Sequence, residues 1–222
     1  GEKCGERAGY ARRSSFNFAR ASGLSVVSRY RGSFEIGDMK PFDIQVNGYA
    51  GADFCSADLT AEGLHAACEA MVDDGFDAIL ATVITDTIPN LEAKLRNLVD
   101  LRERDDLAKK LIVGFHIEGP FMNAGPGYIG AHPPDAVKPA NVEDCKRLLE
   151  VTHGLTKLVT LAPENDPNFA ATEFLAGQQI TVSAGHCDPD LDTLRGAIDH
   201  GLTMVTHFGN GCPVDLPRHD NV

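Results

Sequence analysis

The chain has 222 residues, of which 43% are hydrophobic and 23% charged, with a formal net charge of −12. That is ordinary globular composition, enough for a sizeable core, and the acid excess speaks against nucleic acid, whose phosphates are bound by concentrated Lys and Arg. No apolar run of roughly 18 residues occurs, and no apolar core of about 7–15 residues follows the basic start, so neither a membrane-spanning helix nor a secretory signal is expected.

Charge is unevenly placed. Residues 1–34 hold seven Lys/Arg against two Asp/Glu, a balance of +5, which leaves −17 for residues 35–222. Residues 1–40 therefore read as an atypical basic N-terminal segment. Its acid-free stretch from Ala8 to Phe34 matches an organellar transit segment in composition alone.

From residue 41 onward, apolar β-like runs alternate with helical patterns. In chain order the expectation is a strand at Phe42–Gly48, a helix at Thr60–Asp74, a strand at Ala78–Thr85, a helix at Asn90–Lys110 and a strand at Leu111–Glu118. A helix at Val142–Thr152, a strand at Lys157–Pro163, a helix at Asn168–Ala176, a strand at Ile180–His186, a helix at Pro189–His200 and a strand at Thr203–Phe208 complete it. Helix starts carry side-chain acceptors, as in Asp58-Leu-Thr60-Ala-Glu62 and Asp188-Pro189-Asp190, while Gly75 and Gly201 sit where helices should stop. The runs Ala78–Ile84 and Leu111–Phe115 are too continuously apolar for a sheet covered on one face. The fold class expected is α/β, a (β/α)8 TIM-barrel type over residues 41–222, incomplete, with about six βα units where a full barrel needs about 250 residues. A doubly wound open sheet is the rival, but no G-x-G-x-x-G opens a helix.

Three of the runs end in a residue able to hold a metal: Glu118, His186 and His207. A barrel delivers its site residues from the C-terminal ends of separate strands, and one carboxylate with two imidazoles leaves a coordination position for water. Each has a plainer reading, the carboxylate paired with Lys, Arg or His and each histidine as a hydrogen-bonded structural group; their recurrence at corresponding places is what favours a metal. Alternation points His116 to the same side as Glu118, and Gln45 and Asn47 to one face of the first strand. Carboxamides are weak ligands beside imidazole, so one metal is expected rather than two. Six cysteines show no C-x-x-C pair, which fits a reduced, cytoplasmic setting, and Cys187 reads as a buried thiol rather than a ligand.

The linked motifs Asp43-Ile-Gln-Val-Asn-Gly48, Gly114-Phe-His-Ile-Glu-Gly-Pro-Phe121, Gly130-Ala-His132, Val159-Thr-Leu-Ala-Pro-Glu164, Ser183-Ala-Gly-His186 and Thr206-His207 with Asn210 resemble the N-acetylglucosamine-6-phosphate deacetylases of the amidohydrolase superfamily. The resemblance implies zinc or iron on Glu118, His186 and His207. It implies a carbonyl-polarising role for His132, beside Gly130 and Ala131 in the substrate loop, and sugar-phosphate contacts from Asn210 and the Gly211 backbone. It implies a phosphate contact from Arg218, which in the family can act across a homodimer interface. The expected substrate is a small amino-sugar phosphate. The family's proton-carrying aspartate follows its eighth strand, a position beyond Val222, so the chain is expected to be truncated, and Asp215 and Asp220 do not simply take that role. Two rival readings stand beside this one: another amidohydrolase acting on a different amide, and a non-catalytic metal-binding fragment whose open sheet edges favour oligomers.

Overall fold

A computed structural model describes residues 41–215; the basic segment 1–40 and Arg218, His219 and Asp220 lie outside the described residues. Strand β1 (Phe42–Val46) is followed by a two-residue antiparallel hairpin, β2 (Gly48–Tyr49) and β3 (Ala52–Asp53). The sheet continues with β4 (Ala78–Ile84), β5 (Ile112–Glu118), β6 (Thr156–Leu161), β7 (Thr181–Ala184) and β8 (Leu202–Val205). Its order is β1-β4-β5-β6-β7-β8, every neighbour parallel. A doubly wound sheet reverses strand order at a switch point, and this one runs straight through in sequence order. It is an incomplete barrel of six βα strands, as the alternation of patterns predicted.

The helices form where amphipathic spacing meets a capping side chain. In α1 (Ala61–Asp73) Leu64, Ala67, Cys68 and Met71 are buried, a stripe at helical spacing, and the Thr60 hydroxyl accepts from the Gly63 N–H at 3.1 Å. Its chain turns away at Gly75, whose φ of +94° is a conformation only glycine takes without strain. In α4 (Val142–Thr152) Asn141 caps the Asp144 N–H, and in α6 (Leu191–Asp199) Asp190 caps the Thr193 N–H. The last cross-over before β7 is α5 (Ala170–Gly177).

One expected helix is two. The segment read as Asn90–Lys110 is α2 (Ile88–Glu103) followed by α3 (Asp106–Leu111). Asp105 adopts an extended backbone between them, and its side chain accepts from the Leu107 and Ala108 N–H groups. A side chain that caps a new helix competes with the old one's backbone bonds, so the break is a capping event. Arg102 turns inward and donates to the carbonyls of Ile112 at 2.7 Å and Lys109 at 3.2 Å. That ties the end of α2 to the start of β5.

The core lies between sheet and helices, built from Ile79, Ala81 and Val83 of β4, Phe115 and Ile117 of β5, and the buried stripes of α1, α2 and α4. Alternate residues point into the barrel, and toward the strands' C-terminal ends they become polar: Thr82, His116, Glu118, Thr160, Ser183.

Candidate metal centre

Each ligand candidate is delivered by the C-terminal end of a strand. Glu118 is the last residue of β5, His186 follows β7 and His207 follows β8. Both histidines have left-handed backbone, φ +51° and +56°, a conformation that costs a non-glycine residue about 1–3 kcal/mol and that surrounding structure must hold. Gly185 permits the crowding beside His186: a Cβ there would meet the Thr160 side chain at 2.6 Å.

The three side chains converge. Glu118 Oε1 lies 3.1 Å from His207 Nε2 and 3.3 Å from His186 Nε2, and one ligand atom from each residue falls within 4.8 Å of the others. The second carboxylate oxygen, Oε2, accepts from the Gln45 amide at 2.9 Å, so Gln45 turns Oε1 toward the imidazoles. The same amide nitrogen lies 3.3 Å from His207 Nε2. Asn47, expected on the same face, instead donates to the Thr82 carbonyl at 3.5 Å, where β1 departs from regular register.

Electrostatics agree with the geometry. Burial pushes the Glu118 carboxyl up, but His186, His116 and His132 outweigh it and lower the group to about 2, so it is ionised at neutral pH. His132 is pushed down to about 4, by burial first and by the neighbouring His186 and His207, and His116 likewise to about 4 by burial. His186 moves the other way: burial lowers it, and its bonds to Glu118 and the Tyr128 carbonyl raise it by more. Among the described residues the ion-pair partners of Glu118 are His132, His186 and His207, so the alternative of a Lys or Arg partner is not what the fold builds.

The donor set fits a divalent ion: one carboxylate oxygen and two imidazole nitrogens are the chemistry of three-ligand catalytic sites. The His186 Nδ1–H donates to the Tyr128 carbonyl at 2.7 Å, which fixes the ring with Nε2 turned toward Glu118. Beneath the ligands, His116 Nε2 meets the Thr160 hydroxyl at 2.7 Å; Thr160 continues to Thr206 at 3.1 Å, and Thr206 to Ser183 at 2.6 Å. His116 shares the face of Glu118, as alternation predicted, but is tied into this hydroxyl network.

The remaining expected residues gather at the mouth. His132 is buried, its Nδ1 2.7 Å from the Thr85 hydroxyl and its Nε2 3.2 Å from His186 Nε2. Gly130 has φ +58°, and a Cβ there would meet the His186 ring at 3.0 Å; Ala131 beside it is exposed. The N–H groups of Asn210 and Gly211 both donate to the His207 carbonyl, closing a turn whose glycine lies beside His186. A Cβ on Gly127 would overlap Pro213 at 2.6 Å, so the loops after β5 and β8 abut. Cys187 is half-buried and is not among the residues that converge, and burial pushes its thiol up to about 12. Sequence reasoning missed Thr85 and Tyr128. Thr85 ends an apolar run just as the ligands do and could have been found that way; Tyr128 contributes only a main-chain carbonyl.

No family model matches the chain. It is 34% identical to the N-acetylglucosamine-6-phosphate deacetylase of Bacillus subtilis (strain 168), over 76% of this chain and 42% of that protein. It is 33% identical to the N-acetylgalactosamine-6-phosphate deacetylase of Shewanella sp. (strain ANA-3), over 76% of this chain and 41% of that protein. Among solved structures it superimposes, with TM-score 0.71 and 27% identity, on a mutant of the N-acetyl-D-glucosamine-6-phosphate deacetylase from Mycobacterium smegmatis in complex with N-acetyl-D-glucosamine-6-phosphate, covering 82% of this chain and 45% of that one. The chain thus spans somewhat under half the length of the relatives it matches. Over that span the chain matches the N-acetylglucosamine-6-phosphate deacetylases in sequence and in fold.

Proposed function

We propose that this chain carries the metal-dependent centre that hydrolyses the acetamide of N-acetylglucosamine 6-phosphate to acetate and glucosamine 6-phosphate. The observation that supports this above all is the meeting of Glu118 Oε1 with the Nε2 atoms of His186 and His207 at the mouth of a barrel related to those deacetylases.

In this reading Glu118, His186 and His207 hold one zinc or iron ion. When bound, such an ion acidifies water and polarises an amide oxygen, which are the two demands of amide hydrolysis near neutral pH. Gln45 holds the carboxylate with one oxygen toward the imidazoles, and Tyr128 holds the His186 ring. His132, neutral at pH 7, presents Nε2 to the centre and supplies a hydrogen-bond donor to the acetamide carbonyl without adding charge. Gly130 and Ala131 line the acetamide side of the mouth, and Asn210 with the Gly211 backbone contacts the sugar phosphate, with Arg218 as a further phosphate contact across a homodimer interface. Leu191, Ile198 and Val205, all exposed apolar residues of α6 and β8, support self-association. Among the described residues no helix is long and apolar enough to cross a membrane, and five described cysteines are free, which supports a cytoplasmic setting.

The test is acetate release by the full chain with Zn2+ or Fe2+, using the N-acetylglucosamine and N-acetylgalactosamine 6-phosphates and unphosphorylated N-acetylglucosamine. The expected result is metal-dependent release from a phosphorylated sugar, abolished by Glu118→Gln. Equal turnover with and without phosphate would point to another amidohydrolase, and metal binding with no release from any substrate would point to a non-catalytic fragment.

A further inference from the structure

Two of the three ligand candidates sit in left-handed turns, and the two turns are held differently. The turn at His207 closes on itself, its carbonyl accepting from the N–H groups of Asn210 and Gly211. The His186 carbonyl instead accepts, at 2.9 Å, from the N–H of Asn123 in the loop after β5. A residue at φ +51° keeps that conformation only where its surroundings hold it, so His186 depends on where that loop stands. The element between the two is the loop after β6, since β6 lies between β5 and β7 in the sheet. That loop supplies none of the three candidates, yet it ends the motif Val159-Thr-Leu-Ala-Pro-Glu164 in an exposed carboxylate with two bonds of its own.

We propose that Glu164 is a positioning residue that braces the His186 turn against the loop after β5. Its Oε1 accepts from the N–H of Asp188, two residues past His186, and at 2.9 Å from the side-chain amide of Asn123. The direction of both bonds is fixed without reference to any ring nitrogen. A main-chain N–H only donates, and Asn123 Oδ1 is taken by the Gly125 N–H at 2.7 Å, so the Asn123 NH2 group is the one that faces Glu164. One oxygen thus joins the two chains on either side of the bond between Asn123 and His186. The rest of the same loop seats the neighbouring chain: the Ala162 N–H donates to the Phe121 carbonyl at 2.7 Å, and the Asn165 side chain donates to the Met122 carbonyl at 2.9 Å. Phe121, Met122 and Asn123 are gripped in succession, and Glu164 carries the grip across to Asp188. Its bearing on a metal rests on the reading of Glu118, His186 and His207 as ligands; the brace itself does not.

The experiment reads two quantities in the native full chain, in Glu164→Ala and in Glu164→Gln, whose carbonyl oxygen can still accept both bonds. In the metal-free chain, amide exchange followed residue by residue by NMR should run roughly 10-fold faster at the Asp188 and Asn123 N–H groups in Glu164→Ala, and at the native rate in Glu164→Gln. Zinc affinity, from competition with a chelator, should fall roughly 10-fold in Glu164→Ala and be restored in Glu164→Gln. A packing role alone would lower stability without moving the affinity of the folded chain. Unchanged exchange in Glu164→Ala overturns the proposal, as does native affinity in that variant. So does an equal loss in Glu164→Gln, which would make the carboxylate a nearby charge and not a brace. Should Glu164→Ala fail to fold, Asn123→Ser, which lacks the amide donor, is held to the same outcomes. A native chain that binds no zinc counts against the metal reading alone, and amide exchange then decides the brace.

Discussion

Glu118 stands at the end of β5, in the middle of the sheet, with its side chain 2% exposed, whereas His207 follows β8 at the sheet's edge, with its side chain 35% exposed. Around β5 every residue but Val113 is buried, and α3 packs behind it; around β8 the apolar side chains of Val205, Ile198 and Leu191 face outward. One centre is thus assembled from an anchored half and a less covered half. The carboxylate is held by burial and by Gln45, and the edge histidine by a strained turn closed through its own carbonyl. Affinity for an ion should depend on both halves, and the stability of the metal-free chain mainly on the first.

The largest expected effect tests that division. Phe115→Ala, at a fully buried position of β5, should cost about 3–5 kcal/mol in chemical denaturation, while Val205→Ala on β8 should stay within about 0.5 kcal/mol. Similar losses at the two sites would erase the contrast. A smaller effect separates the two ligands. His207→Asn puts a residue that tolerates left-handed backbone at the strained position, so the metal-free chain should keep or gain stability, by up to about 1 kcal/mol, while its metal affinity falls. Glu118→Gln should lose affinity with no such gain, and a destabilised His207→Asn would show that the turn is not strained. The smallest lies on the loop after β4. The Asp86 carboxyl is pushed up by burial but drawn lower overall by Lys94, Asn90 and the Thr87 N–H, so its folded value lies below the unfolded one. Its contribution is present above the unfolded value of about 3.9 and is lost as pH falls through the folded value. Asp86→Asn should therefore destabilise by no more than about 1 kcal/mol at neutral pH, and the gap from the native chain should close in acid.

The strands and the convergence of Glu118, His186 and His207 were legible in the sequence because both rest on side-chain pattern. Buried parallel strands need continuous apolar runs, and Glu118, His186 and His207 close three of them. The break between α2 and α3 was hidden because Arg102–Lys110 keeps a helical charge pattern through Asp105, and only the Asp105-Asp106 capping signal marks the restart. The hairpin after β1 escaped because two-residue strands carry no alternation, and its turn at Ala50-Gly51 offers only the glycine as a sign. Gln45 was read as a missing ligand, which is correct chemistry but incomplete: its amide grips the carboxylate that is present. Tyr128 could not be read at all, since a carbonyl belongs to every residue and its direction is set by the loop.

The central claim is that Glu118, His186 and His207 share one ion. X-ray absorption at the metal edge of the zinc-loaded chain, with stoichiometry from equilibrium dialysis, tests it most directly. The account predicts one ion per chain, two imidazole nitrogens at about 2.0–2.1 Å and carboxylate oxygen at about 2.0–2.2 Å, with one imidazole lost in His186→Gln and one in His207→Gln. Native-like affinity and an unchanged spectrum in either variant, or in Glu118→Gln, would contradict it.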